Sequence, residues 1–146
     1  MFKKILVASL AASALLSGCS STADGGSAAV KPLSDYFFVR GDFNGWNADP
    51  KHKVQPTDQA SVYMATIPLS AGDTLGFKFA DDLWSSGANC GFNKSEDETI
   101  VLGKAVQVNC NSSYSNFKIE VKQTGNYNFY IDDSKKPREI WVELAK

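Results

Sequence analysis

Histidine occurs once in this 146-residue chain, as His52. A lone imidazole in a Pro50-Lys51-His52-Lys53 loop leaves no credible Ser-His-Asp set. Neither a glycine-rich phosphate loop nor a cluster of metal-binding side chains is present. Basic residues are not in excess: 15 lysines and arginines face 16 acidic side chains, a formal net charge of −1. A nucleic-acid partner, which calls for a basic face, is therefore not expected. There is no apolar run long enough to span a bilayer and no convincing helical period. What the chain does have is nine Phe, five Tyr and three Trp in an otherwise polar sequence, which points to β-structure with exposed stacking surfaces.

Residues 1–18 read as a targeting segment. Lys3 and Lys4 form a positive start, followed by a short apolar stretch over residues 5–16. Leu16-Ser17-Gly18-Cys19 then resembles a bacterial lipobox, with Cys19 as the lipid acceptor. An ordinary secretory signal with a chance cysteine is the plainer alternative. Each buried methylene contributes about 0.8 kcal/mol, so a multiply acylated cysteine would anchor firmly. Ser20 after the cysteine, in place of Asp, resembles the pattern sorted to the outer membrane of Gram-negative bacteria. Removing residues 1–18 leaves 13 basic against 16 acidic side chains, a net charge of −3. Residues 19–33, small and polar, read as the lipidated cysteine and a flexible tether. Residues 34–146 are left for one small domain.

Within that domain, short alternating strands are separated by turn signals. Tyr36-Phe37-Phe38-Val39-Arg40 begins one, ending at an Asn44-Gly45 turn. Residues 61–67 make a second, stopped by Pro68. Residues 74–80 alternate with Leu75, Phe77 and Phe79 inward and Lys78 outward. Residues 99–102 and 105–108 flank Gly103-Lys104 as an expected hairpin. Residues 116–121, 127–132 and 139–144 complete the set, and the spacing argues for an all-β sandwich or barrel. Cys90 and Cys110 remain once Cys19 is lipidated. In an oxidising envelope they are expected to be bonded, closing a loop of roughly twenty residues and contributing about 3 kcal/mol. That bond would fix the polar segment 84–94 against the sheet.

The Gly41-Asp42-Phe43-Asn44-Gly45-Trp46 turn after a strand resembles the opening of the starch- and glycogen-binding modules with an immunoglobulin-like fold, the family 48-like carbohydrate-binding modules. Phe77-Lys78-Phe79 leading to Trp84 is similar to that family's strand and loop tryptophan. Asn116 before Phe117-Lys118-Ile119, and Gly125 through Asp132, look like its later elements. The resemblance implies an immunoglobulin-like antiparallel β-sandwich without catalytic activity or cofactor. Trp46 and Trp84 would stack on glucose units, and Lys78 and Asn116 would hydrogen-bond the hydroxyl rim. The Cys90/Cys110 pair and the acidic run Glu96-Asp97-Glu98 depart from the pattern, and Ser113-Tyr114-Ser115 stands where glycines are usual.

Each of these residues also has a blander reading. Trp46 could cap one end of the sandwich, Lys78 could be an ordinary solvated strand residue, and Glu96-Asp97-Glu98 a solvated loop rather than a calcium site. Trp141, in phase with Glu139 and Glu143, reads as cover for the outer face of the sheet. Asp81-Asp82 and Asp132-Asp133 are sequence neighbours whose side chains diverge, unlike a glycosidase pair facing across a cleft. The expected function is a lipoprotein binding α-glucans such as maltodextrin, starch or glycogen, held at the outer membrane by Cys19. The alternative is an accessory that uses the same sandwich to bind an amylase, a secretion component or a porin.

Overall fold

The computed structural model describes residues 29–146. The expected signal segment, Cys19 and most of the tether lie outside them. Lys31–Lys146 forms one compact unit. Leu33, read as the last tether residue, is fully buried in it.

The unit is all-β and antiparallel. Its nine strands are β1 (Phe38–Gly41), β2 (Gln55–Pro56), β3 (Val62–Leu69), β4 (Thr74–Ala80), β5 (Asn89–Phe92), β6 (Val106–Asn109), β7 (Phe117–Glu120), β8 (Gly125–Asp132) and β9 (Glu139–Leu144). They pair in the order β1-β4-β5-β6-β9-β8-β3-β2, with β7 also on β4. This is one continuous sheet, curled until its halves face each other like the layers of a sandwich. The alternation read from the sequence drives the curl, because each strand turns one row of apolar side chains inward. Phe77 and Phe79 of β4, Phe117 and Ile119 of β7, Tyr127, Phe129 and Ile131 of β8, and Ile140 and Val142 of β9 are all buried. Across the core, Phe77 meets Phe129 edge-on at 5.0 Å between ring centroids. On the outer face, Trp141 stacks on its cross-strand neighbour Tyr130 at 4.9 Å.

Two local expectations need correction, and one strand was not expected. Pro68 does not end its strand: β3 runs through it to Leu69, paired with β8. The other neighbour of β3, the two-residue β2, reaches only Tyr63 and Met64, so Pro68 lies on a free edge where no N–H is needed. The hairpin about Gly103-Lys104 does not form. Residues 99–102 make a single bridge to Lys118, while β6 pairs with β5 and β9. The segment 84–94, read only as a polar stretch fixed to the sheet, contains β5, a strand the sequence did not reveal. Opposite β5, Cys110 follows β6 and bonds to Cys90 as expected.

β4 positions the site. One edge pairs with β1 along Phe77 to Ala80. The other edge is shared, with β7 covering Thr74 to Phe77 and β5 covering Phe79 and Ala80. Lys78 stands at the gap between those two partners.

Candidate functional site

Two loops bring the tryptophans together beside β4. Leaving β1, the chain makes a single 3-10 turn at Asp42–Asn44. Asn44 locks it, accepting from Gly41 N at 3.0 Å and donating to Val39 O at 3.1 Å. The Asn44 amide also faces His52 Nδ1 at 2.9 Å. That nitrogen accepts from the Asn44 amide in the neutral tautomer that carries its proton on Nε2, and burial, by lowering the His52 pKa, favours the neutral ring. His52 is thus a turn brace. Gly45 and Trp46 follow with φ of 60° and 64°, so the left-handed pair falls one residue later than Asn44-Gly45. Trp46 lies against β4 at Gly76, where a Cβ would approach its ring to 3.3 Å. Its Nε1 donates to Asp42 Oδ1 at 2.9 Å, and the other Asp42 oxygen accepts from Gly76 N at 2.6 Å.

Trp84 sits in the β4–β5 loop with φ of 57° and is 36 % exposed. Asp81, which is buried, shapes that loop by accepting from Ser85 N at 2.8 Å. Among the described residues, non-glycine left-handed backbone occurs at Trp46, Ser61 and Trp84. Each such residue costs of order 1–3 kcal/mol, and strain of this kind collects at functional sites. Here it coincides with both expected platforms.

Arg40 ties the loops together, and sequence reasoning did not single it out. It projects from β1 on the face opposite Val39 and is 6 % exposed. Its Nε donates to Trp46 O at 2.7 Å, and Nη1 to Asp81 O at 2.7 Å and Asp82 O at 3.2 Å. The guanidinium lies 3.6 Å from the Trp84 ring centroid, close enough for a cation–π stack. One side chain thereby fixes the backbone of one tryptophan and the ring of the other. The two rings stand 6.4 Å apart and are inclined by 43°.

Lys78 points away from Phe77 and Phe79 as the alternation requires, yet it is not solvated. It is 2 % exposed, because residues 111–116 cross over it. Its Nζ donates to Asn89 Oδ1 at 2.7 Å and to Ser112 O. Burial, with no carboxylate to offset it, pushes its pKa down to about 8. The crossing segment is held close: Ser112 N donates to Asn89 O at 3.2 Å and Phe92 N to Ser115 O at 3.0 Å. Only glycine fits at position 91, where a Cβ would lie 1.9 Å from Ser115 O. The sequence showed Lys78 on the outer face but gave no sign of the lid formed by a distant loop.

All four expected side chains converge. Trp46, Lys78, Trp84 and Asn116 line one groove of about 390 Å³, together with Asn89 and Ser113. The groove offers two inclined aromatic faces, an amine and amides, a set suited to a ligand with an apolar face and a polar rim. The acidic run 96–98 lies elsewhere and engages lysines, Asp97 with Lys104 at 3.2 Å and Glu98 with Lys118 at 2.7 Å. No group of three or more His, Cys, Asp or Glu suited to a metal occurs among the described residues.

Comparison with protein-family models finds no match, and comparison with curated proteins finds none. Among solved structures, the chain is similar to AmyP-SBD, the AmyP starch-binding domain, in its ligand-induced structure. The TM-score is 0.57 at 21 % identity, covering 100 % of this chain and 97 % of that one. At that identity the likeness is one of fold.

Proposed function

We propose that the folded unit is a non-catalytic module that binds α-glucans in the Trp46–Trp84 groove. The observation that carries this reading is the inclined tryptophan pair bracketed by Arg40. Consecutive glucose units of an α-linked chain turn relative to one another, so two faces inclined by 43° suit a curved chain. A flat ribbon would call for coplanar rings. Each ring would stack on the apolar C–H face of one sugar, leaving hydroxyls to Lys78, Asn89 and Asn116. Two of the three Lys78 protons are engaged by the protein, which leaves one for the ligand. The likeness of fold to a starch-binding domain agrees with this reading.

Binding at such an open groove is modest, because sugar hydroxyls exchange water for partners of similar strength. Lipid attachment at Cys19 and the tether behind it would compensate by concentrating the module at an outer-membrane surface. A starch pull-down of the full-length chain in a detergent without sugar head groups tests the proposal. Retention on insoluble starch, with release by maltoheptaose, is expected. Failure to be retained, or retention that the sugar cannot reverse, would contradict it and favour a protein partner for the same face.

A further inference from the structure

The groove does not stop at Trp84. A hollow of about 230 Å³ beyond it shares Trp84, Asn89 and Ser113 with the main groove and adds Ser85, Ser86 and Asn111. Asn111 in turn borders a third hollow, of about 370 Å³, whose walls include Asn93, Asn109, Lys136 and Arg138. The ridge between the last two is the Ser85–Gly87 turn, which is fastened from both sides. Ser86 Oγ and Gly87 N each donate to Asn111 Oδ1 at 2.8 Å, and Arg138 Nη1 donates to Gly87 O at 3.3 Å.

We infer that this polar trail is an extension of the binding groove, which takes further units of the same neutral glucan after it leaves Trp84. The inference rests on the glucan reading of the tryptophan pair. Three exposed amides, Asn93, Asn109 and Asn111, have NH₂ groups that donate to no other protein group among the described residues. Asn109 and Asn111 flank Cys110, whose bond to Cys90 holds their backbone against β5. Amides held in place this way can meet hydroxyls at little ordering cost. The charge pattern favours a neutral occupant over an anionic one, because Asp133 engages both Lys136 and Arg138. Without an aromatic ring in the extension, its contribution is hydroxyl recognition alone. It therefore adds to affinity without creating a second independent site.

The test is calorimetric titration of the full-length chain, in the same detergent, with maltotriose and with maltoheptaose. It is run for the natural protein and for an Asn93→Ala/Lys136→Ala variant, which alters two exposed side chains away from the tryptophans. A longer chain offers more registers, so the deciding comparison is the variant. Its heptaose affinity is expected to fall about five- to tenfold, as for loss of one or two hydrogen bonds, while its triose affinity is unchanged. Equal heptaose affinity in both proteins, with triose bound normally, would overturn the extension alone. Binding of neither sugar would overturn the glucan reading and the extension with it.

Discussion

Arg40 and Lys78 are the two buried cations of the site, and they are held differently. Arg40 has three backbone carbonyls and an indole face, so removing it orphans several groups at once. Arg40→Met is expected to destabilise the unit by about 2–4 kcal/mol in urea unfolding and to weaken glucan binding at least tenfold. Arg40→Lys should recover little, because an ammonium cannot span the same acceptors while stacking. Lys78 carries a charge that burial disfavours. Its folded pKa near 8 lies below the ordinary 10.5, so above pH 8 the unfolded chain holds more protons than the native one. Stability relative to Lys78→Met should therefore rise between pH 8 and 10.5, by about 3 kcal/mol at the upper limit. Glucan affinity should move the opposite way, falling as pH passes 8, because the proton lost is the one left for the sugar. Denaturant titrations of both proteins at pH 7 and pH 10, with binding measured alongside, check both signs.

At the scale of elements, the disulfide and Gly91 hold β5 and the crossing segment 111–116 together. Reducing Cys90–Cys110 is expected to lower stability by about 3 kcal/mol, read from urea midpoints with and without reductant. Gly91→Ala should cost about 3 kcal/mol or more and loosen the lid over Lys78, since the Ser115 backbone must move away. β5 itself was illegible in the sequence. Asn89-Cys90-Gly91-Phe92 shows no alternation, because the crossing segment covers its outer side and the core its inner side. β4 and β9, each with one apolar row, could be read with their bounds. The false hairpin at Gly103-Lys104 had a genuine turn, with Lys104 N donating to Val101 O at 3.0 Å. Its first arm failed because Val101 and Leu102 are exposed, leaving no inward row to anchor pairing.

For the molecule as a whole, the sequence could name the groove residues but not their bracket. Trp46, Lys78, Trp84 and Asn116 belong to three separate connections and one strand, and the pairing of β4 with β1, β5 and β7 brings them together. Recognition of residue types by resemblance reached them. Arg40 escaped because a charged residue in an alternating strand reads as solvated until two loops are seen folding over it. The proposed lipid anchor would act on this same scale, by coupling a weak module to a surface. Cys19→Ser is expected to move the protein from the membrane to the soluble fraction on cell fractionation, leaving its sugar affinity unchanged. The central claim is that the inclined tryptophans form a glucan site. Its most direct test is a maltoheptaose titration followed by tryptophan fluorescence, beside Trp84→Ala. Saturable quenching that vanishes in the folded variant is predicted. An unchanged spectrum at millimolar sugar, or equal quenching in both proteins, would contradict it.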